Sequence, residues 1–149
     1  MQQVRCQVRG VFVAINDAAT VPVVVLTDGT GRLMPIFVGL WEAVSINNAQ
    51  NNVVPPRPFT HDLFMDLMER FSICVHHLQI DSADEGVYYA QLVLAADGRE
   101  ECIDCRPSDG IAVALRAGAP IFVAEELLAA TEQGEGIPEM VDLSTFLQK

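Results

Sequence analysis

Apolar residues fall on even positions through Val4, Cys6 and Val8, then on odd positions through Val11, Val13 and Ile15. Alternation with a period of two predicts a strand, and the change of phase at Arg9-Gly10 predicts a β-bulge or bend. A second strand is predicted over Val21–Leu26 and a third over Leu33–Val38, joined as a hairpin at Asp28-Gly29. Gly39 then caps a short helix with Glu42 at its third position and Ala43, Val44 and Ile46 on its buried side.

The segment Asn51 to Pro58 carries Pro55, Pro56 and Pro58, which is too much proline for a helix or a central strand, and it reads as a linker. Thr60 is the expected cap of an amphipathic helix. Leu63, Phe64, Leu67, Met68 and Phe71 recur at helical spacing, with Asp62, Asp66 and Glu69 opposite and Arg70 in the last turn. A strand over Ile73–Ile80 follows, then a hairpin of Val87–Leu94 with Glu101–Arg106 around Asp97-Gly98, and a helix from Asp109 to Ala117 stopped by Gly118. Pro120 to Val123 reads as a strand leading into a helix that opens with Glu125 and Glu126 and ends before Gly134. Residues 134–149 read as an irregular tail with a short apolar close at Leu143, Phe146 and Leu147.

Sliding the chain by 69 residues lays Asp28-Gly29 on Asp97-Gly98, and lays Val24 on Val93 and Val44 on Val113. The expected architecture is therefore α+β: one domain over residues 1–149 built from duplicated β-β-β-α units, roughly 4–50 and 73–119, with a mainly antiparallel sheet and helices packed on it.

Composition supports a packed core, since half the residues are apolar and 19% are charged. The balance of 9 Lys+Arg against 20 Asp+Glu, a net charge of −11, argues against a protein whose affinity comes from coating phosphates with cations. No apolar run is long enough for a membrane span, and Met1 to Arg5 lacks the apolar stretch of a leader, so the expectation is a soluble cytoplasmic chain with no membrane partner. The four cysteines are then reduced. Cys102 and Cys105 have C-x-x-C spacing, but on a strand residues three apart point to opposite faces, which disfavours a shared metal or a disulfide. His76 and His77 are expected on opposite faces for the same reason.

Two polar clusters remain. In Asp104-Cys105-Arg106-Pro107-Ser108-Asp109, Asp104 and Arg106 share a strand face, Pro107 ends the strand, Ser108 is a natural N-cap and Asp109 enters the helix. As structure, Ser108 caps and Arg106 pairs with a carboxylate such as Asp104. As a site, the carboxylates hold a divalent cation and Arg106 a phosphate. In Arg57-Pro58-Phe59-Thr60-His61-Asp62, His61 is a candidate general base or acid, and Asp62 would orient it or bind metal.

With these clusters in view, the chain resembles the bifunctional nuclease domain family. The resemblance rests on Leu33 to Gly39 with Glu42-Ala43, on Arg57 to Leu63, on Gly86 to Ala90, and on Ile103 to Ala112 leading to Pro120-Ile121-Phe122-Val123. It implies an α+β fold of its own type, a homodimer, and hydrolysis of DNA and RNA. The recurrent polar positions of the family fall on Glu42, Arg57, Thr60, His61, Asp62, Asp104, Arg106, Ser108 and Asp109. Gly110 departs from the family by standing where alanine is usual, at some cost in helix stability.

The expected function is thus a metal-assisted phosphodiesterase. Asp104 and Asp109, with Glu42 or Asp62, would hold Mg²⁺ or Mn²⁺; Arg57, Arg106 and Ser108 would bind substrate; His61 would move a proton. The alternative is a non-enzymatic ligand- or protein-binding module whose polar corners are structural, a reading that the net charge favours.

Overall fold

The computed structural model describes residues 2–15, 19–132 and 139–148. Among them, eight mostly antiparallel strands form one mixed sheet with five helices packed on it, an α+β fold. The first unit is β1 (Gln3–Ile15), β2 (Thr20–Thr27), β3 (Leu33–Phe37) and α1 (Leu40–Gln50). After the connecting helix α2 (Thr60–Arg70) comes the same order again in β4 (Cys74–Asp84), β5 (Val87–Ala96), β6 (Arg99–Cys105) and α3 (Pro107–Ala117). The chain then runs through β7 (Ile121–Ala124), α4 (Glu125–Glu132), β8 (Met140–Asp142) and α5 (Leu143–Leu147). Ordered structure over 140–147 corrects the irregular tail; the glycines and proline that suggested it, Gly134, Gly136 and Pro138, lie outside the described residues.

Strand order is β3-β2-β1-β7-β4-β5-β6, with β8 also pairing β1. The long β1 joins the two halves. Its residues Gln3–Cys6 pair β7, and from Gln7 onward it pairs β2, with Arg9 left over where the register slips between Val8 and Gly10. The phase change seen in the sequence is that bulge. The one parallel pairing among the described strands, β4 with β7, follows from the crossover through α3.

Turn chemistry differs between the units. Asp97-Gly98 is a two-residue hairpin with both φ positive, 52° and 75°, joining the paired Ala96 and Arg99. The Asp28-Gly29 counterpart opens into a longer loop between the paired Thr27 and Leu33, tied by Asp28 accepting from Thr30 N and Arg32 Nε. The Thr30 backbone and Arg32 hold the Asp28 carboxyl well below the usual carboxylate range.

Val11, Val24, Leu26, Ile46, Leu78, Ile80, Ile111 and Leu128 form the centre of one hydrophobic core between sheet and helices. Within it, α1 packs against α3, and α3 against β4 and α2. Helix α2 departs from expectation. Its cap is Phe59, whose N–H donates to Asp62 Oδ2 at 2.9 Å, with Thr60 inside the first turn. Of its apolar stripe only Met68 is buried, while Leu63, Phe64, Leu67 and Phe71 are exposed. No helix among the described residues is long and apolar enough to cross a membrane.

Candidate functional site

Three helix starts meet at one cleft, and local sequence explains each. Gly39 caps α1; an ideal Cβ at Gly39 would lie 2.7 Å from Glu42 Oε2, so only glycine lets that carboxylate fold back over the helix start. Pro58 and the Phe59 cap begin α2 and set His61 in its first turn. Arg106 precedes Pro107 and is held extended, φ −69° and ψ 144°, making it the cap residue of α3. Its side chain then turns back over that helix. The resulting cleft, about 560 Å³, is lined by Trp41, Glu42, Ser45, His61, Arg106 and Asp109, with Pro58, Phe59 and Thr60 closing one side.

Arg106 is the hub. Its Nε and Nη2 grip Asp109 at 2.8 and 3.1 Å, and its Nη1 donates to Glu42 Oε1 at 3.0 Å. A guanidinium has five N–H donors; three are used here, and the two left are on the outer nitrogens of a side chain that is 64% exposed. Asp109 also accepts from His61 Nε2 at 2.9 Å. Burial raises the Asp109 carboxyl, but the hydrogen bonds from Arg106 and His61 outweigh it and leave the group below its ordinary value. The paired carboxylates hold the Arg106 guanidinium above its ordinary value, Asp109 contributing most.

Behind His61 lies a second layer. Ser45 Oγ is 2.6 Å from His61 Nδ1 and accepts from Arg116 Nη2 at 3.1 Å. The ionised Asp109 carboxylate can only accept, so a ring hydrogen is on Nε2, and the Ser45 hydroxyl is free to donate to Nδ1. Arg116 is itself anchored by Asp62 Oδ1 at 2.8 Å and by the carbonyls of Ala112 and Ser45. Burial raises the Asp62 carboxyl, but the bonds from Arg116 and Phe59 N bring it below its ordinary value.

Of the residues expected from sequence, Glu42, His61, Arg106 and Asp109 line this cleft together. Asp62 belongs to the supporting layer and does not line it. Asp104 is a correction: it is exposed on β6 opposite Gln91, and Arg106 pairs with Asp109 and Glu42 instead. Ser108 is also corrected, from cap to the second residue of α3, buried beside an adjoining cavity with Gly39 and Tyr88. Arg57 is exposed in the linker and makes no ion pair among the described residues. The expected ligands Asp104, Asp109 and Glu42 are not gathered, and among the described residues no group of three or more His, Cys, Asp or Glu is placed to hold a metal ion. Glu42 and Asp109 are instead bridged by a cationic side chain, so the residues present do not fit a protein-held Mg²⁺ or Mn²⁺.

Sequence reasoning missed Ser45, Arg116 and Trp41. Ser45 had one signal, a polar residue inside the apolar run Ala43 to Ile46. Elsewhere, the four cysteines are free, with Cys102 exposed and Cys105 half-buried against α3. His76 is the extra residue of a bulge in β4, and the bulge brings its Nδ1 to 2.7 Å from His77 Nδ1 in place of the expected opposite faces.

The family model described as bifunctional nuclease domain matches residues 24–135. An uncharacterised protein of Mycobacterium tuberculosis is 38% identical over 137 residues, covering 91% of this chain and 80% of that protein. Bifunctional nuclease 1 of Arabidopsis thaliana is 34% identical over 136 residues, 88% of this chain and 41% of that protein. Bifunctional nuclease 1 of Oryza sativa subsp. indica is 32% identical over 114 residues, 73% of this chain and 34% of that protein. The chain thus spans less than half the length of these two plant nucleases.

Proposed function

Because the chain belongs to the bifunctional nuclease domain family, we propose that it hydrolyses phosphodiester bonds of DNA and RNA in the cleft between α1, α2 and the start of α3. The observation that carries this reading is Arg106, exposed, with two unspent donors beside a carboxylate oxygen that accepts nothing among the described residues, Glu42 Oε2. The outer N–H pair of Arg106 takes two non-bridging phosphate oxygens and offsets the charge that develops on them. Glu42 Oε2 takes the proton of the attacking water, and the leaving oxygen takes a proton from solvent.

Asp109 holds Arg106 in this pose. His61, with both ring nitrogens engaged, supports Asp109, so the proton transfer expected of it falls to Glu42.

The test is cleavage of labelled single-stranded DNA, duplex DNA and RNA by the purified chain with Mg²⁺, Mn²⁺ or EDTA, beside Glu42→Gln and Arg106→Ala prepared identically. Loss of about 100-fold or more in both variants is expected, the scale of a general base or of a charge-stabilising donor. Equal activity in all three preparations, or none in any, overturns the reading and leaves a binding module. Cleavage that EDTA abolishes would overturn the metal-free roles of Glu42 and Arg106.

The homodimer is part of the same proposal. Leu63, Phe64, Leu67 and Phe71 present an exposed apolar helix face of the kind two copies bury. Sedimentation is expected to give twice the chain mass, and Leu67→Asp to return it to one.

A further inference from the structure

The cleft has one wall that the hydrolytic roles leave unused. Trp41, the only tryptophan of the chain, is the second residue of α1 and the neighbour of Glu42, and it lines the same cleft as Arg106. The residue is 73% exposed and has no ring partner among the described residues. A large indole left in water beside a phosphate-binding guanidinium is a stacking surface without its stack.

The charge balance sharpens this. With a net charge of −11, and with Arg106 already shared between two carboxylates, ionic attraction supplies little of the affinity for a polyanion. Affinity must come from contacts that do not depend on charge, and a base on an aromatic face is one that every nucleotide offers.

We propose that Trp41 stacks on an unpaired nucleobase next to the phosphate held by Arg106, making the preferred substrate a single strand, of DNA or RNA, over a duplex. A paired base has both faces covered within the helix and cannot lie on Trp41 without being extruded. This rests on the nucleic-acid reading above and narrows it to a substrate form and a recognition residue.

The test reads binding separately from cleavage. Trp41 emission is titrated with a short single-stranded DNA, with a duplex of the same sequence, and with an abasic strand carrying the same phosphates; anisotropy of the labelled strands gives binding in parallel. Quenching by the single strand and not by the abasic strand is expected. Trp41→Ala should bind the single strand about 5- to 30-fold more weakly than wild type, with Trp41→Phe between them. The abasic strand should bind both proteins alike.

Since few cations touch the strand, the logarithmic slope of affinity against salt should be shallower than about −1.5. Binding of the single strand without quenching, or equal loss of the abasic strand in Trp41→Ala, overturns the stacking and leaves the nuclease reading intact. No binding of any strand overturns the nuclease reading itself. Emission that changes on protein dilution and not with strand makes Trp41 a contact between copies, and the proposal fails.

Discussion

Replacing Gly110 by alanine separates what the sequence suggests from what the structure allows. Gly110 is the fourth residue of α3, next to Asp109. Helix propensity alone says that Gly110→Ala should stabilise by about 1 kcal/mol. The structure says otherwise: an ideal Cβ at 110 would lie 2.4 Å from Leu78 Cδ1 and 3.1 Å from both Leu78 Cδ2 and Cys105 Sγ. Carbon atoms prefer about 3.5–4.0 Å, so more than an ångström must be found. Leu78 is fully buried at the centre of the core and has no open side to move toward. Overpacking of this kind costs about 1–3 kcal/mol, and a contact this short belongs at the upper end. The expected net effect is a loss of about 1–2 kcal/mol, or about 3–6 °C in Tm for a chain of this size.

Urea denaturation of wild type, Gly110→Ala, Leu78→Ala and the double variant closes a cycle. Leu78→Ala alone should cost about 2–5 kcal/mol. In the Gly110→Ala background it should cost at least about 1 kcal/mol less, because the two Leu78 methyls that clash are gone and the new methyl fills part of the space. A Gly110→Ala protein more stable than wild type, or a cycle additive within about 0.3 kcal/mol, would refute the clash. The outcome also reaches the site, because a shifted first turn of α3 moves Asp109 off His61.

Gly39→Ala is expected to leave the urea midpoint within about 0.5 kcal/mol, since the atom it meets is the mobile end of Glu42, yet to lower cleavage by displacing that carboxylate. Unchanged cleavage would remove Glu42 Oε2 from the reaction. Arg116→Ala should destabilise by about 2–3 kcal/mol, less than a fully buried pair because Asp62 keeps part of its solvent; a urea midpoint equal to wild type would show that the Asp62 and Ser45 bonds contribute nothing.

The folded-state carboxyls of Asp62 and Asp109 lie below their ordinary value of 3.8. As pH falls the unfolded chain therefore takes up protons first. The stability these groups add is complete at neutral pH and is lost as the pH drops from near 3.8 through their folded values. Asp62→Asn should flatten that loss in urea midpoints, and an unchanged acid limb would contradict it. Burial raises the thiols of Cys6 and Cys105 to about 11, so iodoacetamide at about pH 8 should label exposed Cys74 and Cys102 first. Early labelling of Cys105, read by peptide mass, would show that α3 does not cover it as described.

Local pattern made most of the fold legible. Strand parity located the β1 bulge because the apolar phase itself changes there, at a glycine. The bulge at His76 leaves a trace of the same kind, with Ile73 and Val75 on odd positions and Leu78 and Ile80 on even ones, but no glycine marks the change of phase and the strand reads as regular. An apolar helical stripe says that a face wants cover and does not say by what, so the α2 face read as core although only Met68 is buried. Cap signals misled by a residue or two at both clusters, because Pro107 is itself the first residue of α3 ahead of Ser108, and in α2 the Asp62 carboxylate takes the N–H of Phe59 and makes that residue the cap instead of Thr60.

The site was legible as residue types and illegible as partners. Asp104 and Glu42 are equal candidates to pair with Arg106 by charge, and Asp104 has the advantage of proximity along the strand. The fold chooses Glu42, 64 residues away. The reason is the packing of α1 on α3: the first unit contributes a helix start with Glu42, the second a helix start with Arg106 and Asp109, and the connector between them contributes His61. An acid at the third position of a helix is, in each unit alone, an ordinary complement to the helix dipole. Set side by side with one arginine between them, the same two acids pin an exposed guanidinium that keeps two donors. The polar cluster therefore belongs to the interface between the two units, which neither unit's sequence carries by itself.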